Sequence, residues 1–439
     1  MTYPGLTTFP SVETWPGYYL VEGGAEVAIW ALPQDGSSVP LPDLKDWTIS
    51  PMKSGPGAVT FDYPVTGRNF DTLRAIAEDD IDLEVEIRVD GTSATALRAI
   101  VDSCEGDDGD ENAIWSFTGH FLPILLTDAV LPPDATTEQG ETQLSGTPGN
   151  LIGALMQRAQ ARGVLTDLTY ASFTATHDSH GVVWATQATV KWSPGRSYLD
   201  ILQECEEYGL CEFEVNSARQ LRLYNPGTRG TDRTVLGRNS VVLERGRDQL
   251  DAGRRHTVRE AGTHVVAVGR DGLYTTASNA TALARRGRRI ERYISFGDIS
   301  DPDVLTALAE ASVTQLGDGA SEQSHALVLA EGHPIPGRQF READWVWSVT
   351  RSGVKRRRVA QWTLSRSGDD ISGSVTLDDL IDARDVQLSR AIQALQGGST
   401  VVGTSTLPPD VDDGKAPAAA AGGAGGRSGA KNGEGGGHA

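Results

Sequence analysis

The chain has 439 residues and a formal net charge of −20 at pH 7. This length is enough for two to four domains, and the acidic balance argues against a nucleic-acid-binding protein, which usually carries a basic surface. Three irregularly spaced cysteines predict no disulfide framework and fit folding in a reducing cytoplasm. The sequence predicts neither a signal peptide nor a membrane-spanning segment.

Residues 1–135 predict a β domain. The stretch 83–90 alternates apolar and charged side chains, which is the period of a half-buried strand. Similar runs predict four further strands, at residues 26–31, 47–50, 58–63 and 114–121. A Pro/Gly/Ser/Thr-rich stretch at 131–147 then predicts a linker.

Residues 136–235 predict a small α+β domain. One helix is expected to begin at Pro148 and to end at Gly163, and a second is expected over residues 197–208. Strands near 182–192 separate the two helices, and a hairpin at 211–226 follows them. Helices and strands that alternate over so short a stretch are typical of an α+β unit.

Residues 236–373 predict a second β domain with one inserted helix. The helix spans 301–316, with Asp301 as its N-cap and Pro302 at its first position. Strands are predicted at 240–244, 256–259, 264–269, 289–295 and 324–330. A hairpin over residues 341–365 ends the domain.

The last part of the chain predicts a helix at 374–399 and a flexible Gly/Ala/Pro-rich tail at 400–439. The helix carries one apolar stripe, and such a helix is marginal in water unless it packs on its own domain or self-associates. Three residues of this stripe are candidates for a subunit contact: Leu388, Ile392 and Leu395.

Two basic clusters need an explanation in so acidic a chain. The first follows two tryptophans of the last hairpin, and the second lies near residue 287. The acidic blocks at 78–86 and 105–111 are expected to be solvated edges or loops, and they offer the arginines partners across an interface. We therefore predict contact surfaces, against the alternatives of a catalytic cleft or a polyanion site. The predicted interface residues are Trp345, Trp347, Lys355, Arg356, Arg357 and Arg358, and Arg285, Arg286, Arg288 and Arg289.

The sequence has only weak candidates for catalytic, phosphate-binding or metal-binding motifs. The sequence has no GxSxG or HExxH motif, and the glycines at 422–429 lack the strand and helix that a phosphate loop needs. The segment from His177 to His180 has no third ligand nearby and is interpreted as a loop. No catalytic, cofactor-binding or metal-binding residue is predicted, although the many carboxylates leave a glycosidase open.

Several stretches resemble the baseplate-hub, or tail-associated, minor tail proteins of siphophages, notably those that infect actinobacteria. They are AEVAIWALPQDG with WTISPMKSGPGAVTFDYP, GNLIGALMQRAQARG with KWSPGRSYLDILQECEEYGLCEFEV and QLRLYNPGTRGTDRT, HPIPGRQFREADWVWSV with VAQWTLS, and SVTLDDLIDARDVQLSRAIQALQGG. The resemblance covers most of residues 20–400. At residues 342–345 the chain reads Glu-Ala-Asp-Trp, where Gly-Asp-Trp is more usual in the family.

The resemblance implies a non-enzymatic homotrimer with no cofactor, in which two β-barrel-like domains per chain present six units to a six-fold tail tube. It implies a place at the distal end of the phage tail, after synthesis in the host cytoplasm. Expected partners are the distal tail or tail tube protein, other tail-tip minor proteins and the C-terminus of the tape measure protein. DNA is expected only in transit, repelled by an acidic wall.

Two other functions stay open on the sequence. One is a tail-tip cell-wall hydrolase, which some hub relatives carry as a C-terminal extension. The other is a carbohydrate-binding module, suggested by the tryptophans, although most of these alternate with apolar neighbours and are expected in cores or interfaces.

Overall fold

The computed structural model describes residues 19–20, 26–79, 81–89, 96–107, 110, 112–137, 140–235, 237, 239–257, 261–296, 299, 301–317, 320–330, 332–350 and 353–378. The chain divides into two units, Met1–Arg384 and Asp385–Ala439, and all the described residues belong to the first. Most of the predicted C-terminal helix and the predicted tail therefore lie outside the described residues.

The described strands follow in chain order. They are β1 (Tyr19–Leu20), β2 (Glu26–Leu32), β3 (Val39–Pro40), β4 (Trp47–Ser50), β5 (Ala58–Pro64), β6 (Leu83–Val89), β7 (Leu97–Glu105), β8 (Ile114–Phe121), β9 (Thr142–Gly146), β10 (Ala188–Trp192), β11 (Glu212–Val215), β12 (Leu221–Tyr224), β13 (Val242–Glu244), β14 (Gln249–Thr257), β15 (His264–Val268), β16 (Tyr274–Ser278), β17 (Glu291–Ser295), β18 (Ala320–Leu327), β19 (Trp345–Thr350), β20 (Gly353–Ser367) and β21 (Asp370–Asp378).

The described helices lie between these strands. They are α1 (Phe70–Asp79), α2 (Pro148–Ala161), α3 (Tyr198–Glu207), α4 (Ala280–Arg286) and α5 (Pro302–Gly317), with short 3-10 helices at Leu122–Thr127 and Arg270–Gly272. Side-chain caps begin α2 and α3, and the N-cap that the sequence predicts for α5, Asp301, accepts a hydrogen bond of 3.3 Å from the amide of Val304. Thr147 accepts a hydrogen bond from the amide of Asn150, and Ser197 accepts one from the amide of Asp200.

Strands from both ends of the described chain form one large sheet. Its order is β1-β2-β6-β7-β8-β5-β4-β20-β21-β18-β14, with β3 on β2 and with β19 and β13 attached beside the first half of β20. The join between the two β regions is the antiparallel pairing of β4 with β20, in which Thr48 lies opposite Ser365. The two β regions are therefore neighbours in one sheet.

The core of this sheet follows from the alternation of its strands. Leu83, Val85, Ile87 and Val89 are all buried in β6, as the period-two pattern predicts. Trp47 of β4 and the tryptophan of β20 at position 362 belong to the same hydrophobic cluster. Residues from both ends of the described chain thus share one core.

A second core combines the predicted α+β domain with residues 261–317. It holds α2, α3, the pairs β9–β10 and β11–β12, and a three-stranded sheet β16-β15-β17 against which α5 packs. Each of the two cores therefore contains residues from more than one of the predicted domains, whose boundaries lie near residues 136 and 236. The boundaries themselves stay a prediction.

The fold class, mainly β with some helices, is confirmed. The three predicted helices that begin near residues 148, 197 and 301 are present, whereas α1 and α4 were missed and β9 lies in the predicted linker. The predicted helix does not begin at Ser374, because residues 374–378 belong to β21. There Gly373, Val375 and Leu377 are buried in alternation, which is a strand pattern.

Candidate functional site

The basic segment of the last hairpin lies in β20, and most of its cations have partners inside the chain. Lys355 is exposed. The other three form ion pairs within the chain, Arg356 with Asp232, Arg357 with Asp378 and Arg358 with Glu212. These three arginines are therefore already paired within the chain, and their place in a subunit interface stays a prediction.

The pair Arg358–Glu212 is the centre of a buried network. The two side chains are 11% and 6% exposed, and the Arg358 guanidinium binds both carboxylate oxygens of Glu212, with 2.7 Å from Nη2 to Oε2. Arg358 Nη2 also donates to the carbonyl oxygen of Arg229 at 2.7 Å. On the other side, Lys53 Nζ lies 3.4 Å from Glu212 Oε1. The network joins β11 to β20 and to the segment after β4.

The protonation of Glu212 reflects a balance between burial and charge. Burial on its own raises the pKa of a carboxyl group. Here the hydrogen bonds from Arg358 and the positive charges of Arg358 and Lys53 outweigh burial and lower the pKa of Glu212 to about 2. Glu212 is therefore a carboxylate at every ordinary pH, and the network is charged.

Arg229 is a second buried cation of the network. Its Nη1 donates to the carbonyl oxygen of Phe213 at 2.7 Å and to that of Lys53, while its amide donates to Glu212 Oε2 at 3.1 Å. Burial works against the charged form, but the surrounding carboxylates raise the pKa of Arg229 above its ordinary value. These carboxylates are Glu214, Glu342, Glu206 and Glu212.

Glu342 faces Arg229 from the second β region. Its Oε1 lies 3.9 Å from Arg229 Nη2, and its Oε2 accepts a hydrogen bond of 3.1 Å from Trp362 Nε1. Burial raises the pKa of Glu342 in spite of the nearby arginine. Three cations, Lys53, Arg229 and Arg358, thus meet four carboxylates, so the junction has a formal net charge of −1.

The segment that joins Glu342 to β19 has a left-handed backbone. Ala343 has φ = +69°, a region that favours glycine. The next residue, Asp344, accepts hydrogen bonds from the amides of Thr231 at 2.6 Å and Arg341 at 3.1 Å. In the family that the sequence resembles, Gly-Asp-Trp is more usual at this place. A glycine before Asp344 would adopt this conformation without strain.

A cleft of about 300 Å³ lies beside the network, where the inserted α+β part meets the sheet. Its charged lining consists of Arg98, Arg222, Arg229, Arg341, Glu214 and Glu342. None of the residues that line it is a histidine or a cysteine, and its two carboxylates, Glu214 and Glu342, both face Arg229. With four arginines and two glutamates, this lining has a formal excess of two positive charges.

A second ion-pair cluster ties the α+β part to β6. Glu84 accepts hydrogen bonds from Arg98 at 3.0 Å and from Arg219 Nη2 at 2.7 Å. Arg219 belongs to the β11–β12 turn and also pairs with Asp167. Part of the acidic block at 78–86 is therefore neutralised within the chain.

The second basic cluster lies at the end of α4 and in the turn that leads to β17, whereas the first lies in β20. Arg285 Nη2 donates to the carbonyl oxygen of Gly317 at 2.5 Å, and Arg289 pairs with Glu291 at 2.6 Å. Arg288 is exposed, and Arg286 is half-buried. The strand that follows this cluster, β17, belongs to the three-stranded sheet, whereas β20 belongs to the large sheet. The other predicted interface residues, Leu388, Ile392 and Leu395, lie outside the described residues.

The segment from His177 to His180 is a structured loop. Buried Asp178 accepts hydrogen bonds from the amides of His180 and Val182, both at 2.9 Å, and from Asn225 Nδ2 at 2.9 Å. This carboxylate is used to organise the loop. In the described part of the chain no three His, Cys, Asp or Glu side chains group as a metal site, and no helix there is long and apolar enough to span a membrane.

Sequence reasoning missed the central residues of the network: Lys53, Glu206, Glu212 and Arg229. A signal exists in the stretch 204–214, where three of five carboxylates, at positions 206, 212 and 214, contribute to the network. Glu212 is the first residue of β11, and both Glu212 and the next residue, Phe213, are buried. A buried carboxylate needs a cation nearby, so a partner for Glu212 was to be expected. The partner is 146 residues away, which no local pattern indicates.

The overall fold is that of a group of phage tail proteins of known structure. The chain resembles a tail protein from Neisseria meningitidis MC58 (TM-score 0.55, 11% identity, covering 80% of this chain and 96% of that one). It also resembles the 43 kDa tail protein of prophage MuSo2 from Shewanella oneidensis (TM-score 0.54, 12% identity, 80% and 97% covered). A third similar structure is the prophage tail protein gp18 from Listeria monocytogenes EGD-e (TM-score 0.52, 12% identity, 84% and 99% covered).

These similarities are in fold alone, because the sequence identities are low. The chain matches no protein-family profile, and no curated protein matches it in sequence. The match nonetheless spans nearly the whole length of all three tail proteins, so the inserted α+β part and the β regions belong to one shared architecture.

Proposed function

We propose that this protein is a structural component of a bacteriophage tail, and more specifically a trimeric baseplate hub at the distal tail tip. In this role it adapts the six-fold tail tube to a threefold tip and lines the channel through which DNA leaves. The observation that carries the proposal is the shared fold with three tail proteins over 96–99% of their length.

The arrangement of the two β regions supports the hub. They lie edge to edge in one sheet, joined by β4 and β20. If each region forms one unit of a ring, three chains contribute six units, which is the number that a six-fold tube requires. Ion-pair networks at Glu212 and Glu84 hold the α+β part against this sheet, as a load-carrying component needs.

The chemistry at the junction also supports a structural, non-enzymatic role. Its buried cations and carboxylates are paired with one another, and the adjacent cleft offers no histidine or cysteine. The chain's net charge of −20 suits a wall past which DNA slides without binding. Partners in this role are the distal tail or tail tube protein, other tip proteins of the minor tail class and the C-terminus of the tape measure protein. The place of action is the virion, after synthesis in the host cytoplasm, and the resemblance suggests an actinobacteriophage.

The test is the mass and shape of the purified full-length chain. Light scattering at micromolar concentration is expected to give about three times 46.7 kDa, and negative-stain images are expected to show threefold rings with a central hole. A chain that stays monomeric on concentration would contradict the hub. Release of fragments from purified cell wall, or binding to a glycan array, would instead favour the hydrolase or the carbohydrate-binding module.

A further inference from the structure

The cleft beside the Glu212 network is a positively charged place in an acidic chain. Of its four arginines, Arg98 lies 3.0 Å from Glu84 and 3.6 Å from Glu86, so its charge is balanced by carboxylates outside the lining. Three arginines and two glutamates remain, which is a formal excess of one positive charge. They are Arg222, Arg229 and Arg341 against Glu214 and Glu342.

The rest of the network does not remove this excess. Lys53 Nζ lies 2.6 Å from Glu206 Oε1, and Arg358 binds both carboxylate oxygens of Glu212. These two cations and two carboxylates balance one another. The cleft and the network together therefore keep a formal charge of +1, which one added carboxylate would neutralise.

The two carboxylates of the cleft also lie too far away to bind Arg229 by hydrogen bonds. Arg229 Nε is 3.6 Å from Glu214 Oε2, and its Nη2 is 3.9 Å from Glu342 Oε1, both beyond the usual length of a hydrogen bond. The Arg229 side chain is 6% exposed, and its Nε has no hydrogen-bond acceptor among the described residues. A buried donor without an acceptor costs free energy, which a further acceptor in the cleft would offset.

Arg222 is the cation of the cleft that a ligand can reach. Its side chain is 41% exposed, and its Nε donates to Gln220 Oε1 at 3.1 Å. Its Nη1 lies 3.7 Å from Glu214 Oε1, which is again beyond hydrogen-bond length. A guanidinium group is a planar fork of donors whose geometry matches the two oxygens of a carboxylate.

The wall beside these cations is apolar. The volume of about 300 Å³ is at the lower end of the range for small-molecule sites and suits one or two amino-acid residues. The half-buried residue Ser217 adds a hydroxyl group that can bond to a peptide unit. The apolar lining includes Met52, Leu97, Phe121, Leu122 and Val215.

We propose that this cleft binds the C-terminal carboxylate of a peptide that ends in an apolar residue. Arg222 donates to the carboxylate, which completes the charge balance, and the last side chain of the peptide lies against Met52 and Leu122. Both β regions and the α+β part line the cleft, so a bound peptide stabilises their junction. Binding of this kind needs no second copy of the chain, and it is independent of the proposed ring.

The test is calorimetric titration of the full-length chain with N-acetyl-alanyl-leucine, which has a free carboxylate. Three comparison probes each lack one feature: the amide of the same dipeptide has no charge, 4-methylpentanoate has no peptide unit, and inorganic phosphate has no apolar group. The variants are Arg222→Gln, which removes the accessible cation, and Glu214→Gln, which raises the excess of positive charge. The control is Arg74→Gln, which loses the same charge in an exposed ion pair with Glu78 on α1. Circular dichroism checks the fold of every variant.

We expect the dipeptide acid to bind at least about tenfold more tightly than its amide, because hydrogen bonds to charged groups are the stronger ones. Arg222→Gln should lose about the same factor, Arg74→Gln should bind as the wild type does, and Glu214→Gln should bind more tightly, which a damaged fold would not do.

Four results would overturn the proposal. They are equal binding of the acid and the amide, no binding of the acid, unchanged binding by Arg222→Gln, and phosphate binding as tight as that of the acid. Equally tight binding of 4-methylpentanoate would show that the site takes a free carboxylate and would overturn the peptide as its ligand. The mass of the chain in solution decides the proposed ring separately, so the two proposals fail independently.

Discussion

The guanidinium of Arg358 in β20 donates hydrogen bonds to both carboxylate oxygens of Glu212 at the start of β11, which lies 146 residues away in the sequence. Lys53 approaches the same carboxylate from the segment after β4. One carboxylate thus ties the inserted α+β part to both β regions. Because Arg358, Glu212 and Lys53 are largely buried, substitutions among them are expected to change the free energy of unfolding.

The first prediction concerns the loss of one partner. Glu212→Gln leaves the buried Arg358 without its carboxylate, while Lys53 keeps Glu206 at 2.6 Å, and breaking a buried pair in this way costs about 3–5 kcal/mol of the free energy of unfolding. Chemical denaturation measures the loss. The matched control is Glu78→Gln, which removes the exposed i,i+4 partner of Arg74 and is expected to cost about 0.3–0.5 kcal/mol. Equal effects of the two substitutions would contradict a stabilising role of the network.

The second prediction is the pH dependence of the same pair. The pKa of Glu212 is about 2 in the folded chain and 4.5 as the ordinary value, so folding favours its ionised form. This contribution, on the order of 3 kcal/mol, is complete above pH 4.5 and is lost as the pH falls through 4.5 towards 2. The difference in unfolding free energy between wild type and Glu212→Gln should therefore shrink over that window. A difference that is independent of pH down to 2 would be inconsistent with a depressed pKa.

The third prediction compares two glycines of α2. A Cβ at Gly153 meets no atom within 4 Å, whereas a Cβ at Gly149 would lie 2.0 Å from the carbonyl oxygen of Thr174. Gly153→Ala should raise the unfolding free energy by about 1 kcal/mol, because alanine is the better helix former. Gly149→Ala should lower it by about 1–3 kcal/mol through overpacking, since Thr174 is held by Trp184 Nε1 at 2.9 Å. Thermal or chemical unfolding of the two variants gives the comparison, and a stabilising Gly149→Ala would rule out the close contact.

The fourth prediction concerns the left-handed residue before Asp344. Ala343→Gly removes strain of about 1–2 kcal/mol but loses a buried methyl group and increases the freedom of the unfolded chain, so the net change should be close to zero. The matched control is Ala360→Gly, at a buried strand position without positive φ, which should cost about 1–2 kcal/mol. Ala343→Val should be more damaging than either. Unfolding in denaturant measures all three, and a full loss at Ala343→Gly would show that the methyl group outweighs the strain.

Local rules predicted much of this fold and little of the site. The alternation of apolar and charged residues predicted β6, and the N-cap and proline residues predicted α2 and α5. These patterns succeed because each depends on only a few neighbouring residues. The same rules extended the last predicted helix over residues 374–378, since apolar spacing there fits both periods and the pairing of β21 with β18 decides between them.

The site depended on contacts that local rules do not see. The hairpin cations were recognised as unusual, but their nearest partners are Asp232, Glu212 and Asp378, which other strands and loops bring to them. The central carboxylate was not predicted at all. Its partner is defined only once β11 and β20 are packed, and this information lies in the tertiary structure.

The seam between β4 and β20 also has a consequence for how the chain folds. Ser50 and Thr363 share a hydrogen bond of 2.8 Å across 313 residues of sequence. During synthesis, the strands up to β8 therefore emerge with the β4 edge unpaired until β20 has left the ribosome. Contacts of such sequence separation form slowly, and an open edge can pair with other chains in the meantime. We expect the first β region, when expressed alone, to aggregate through β4, and the speed of folding of the whole chain to depend on the closure of this seam.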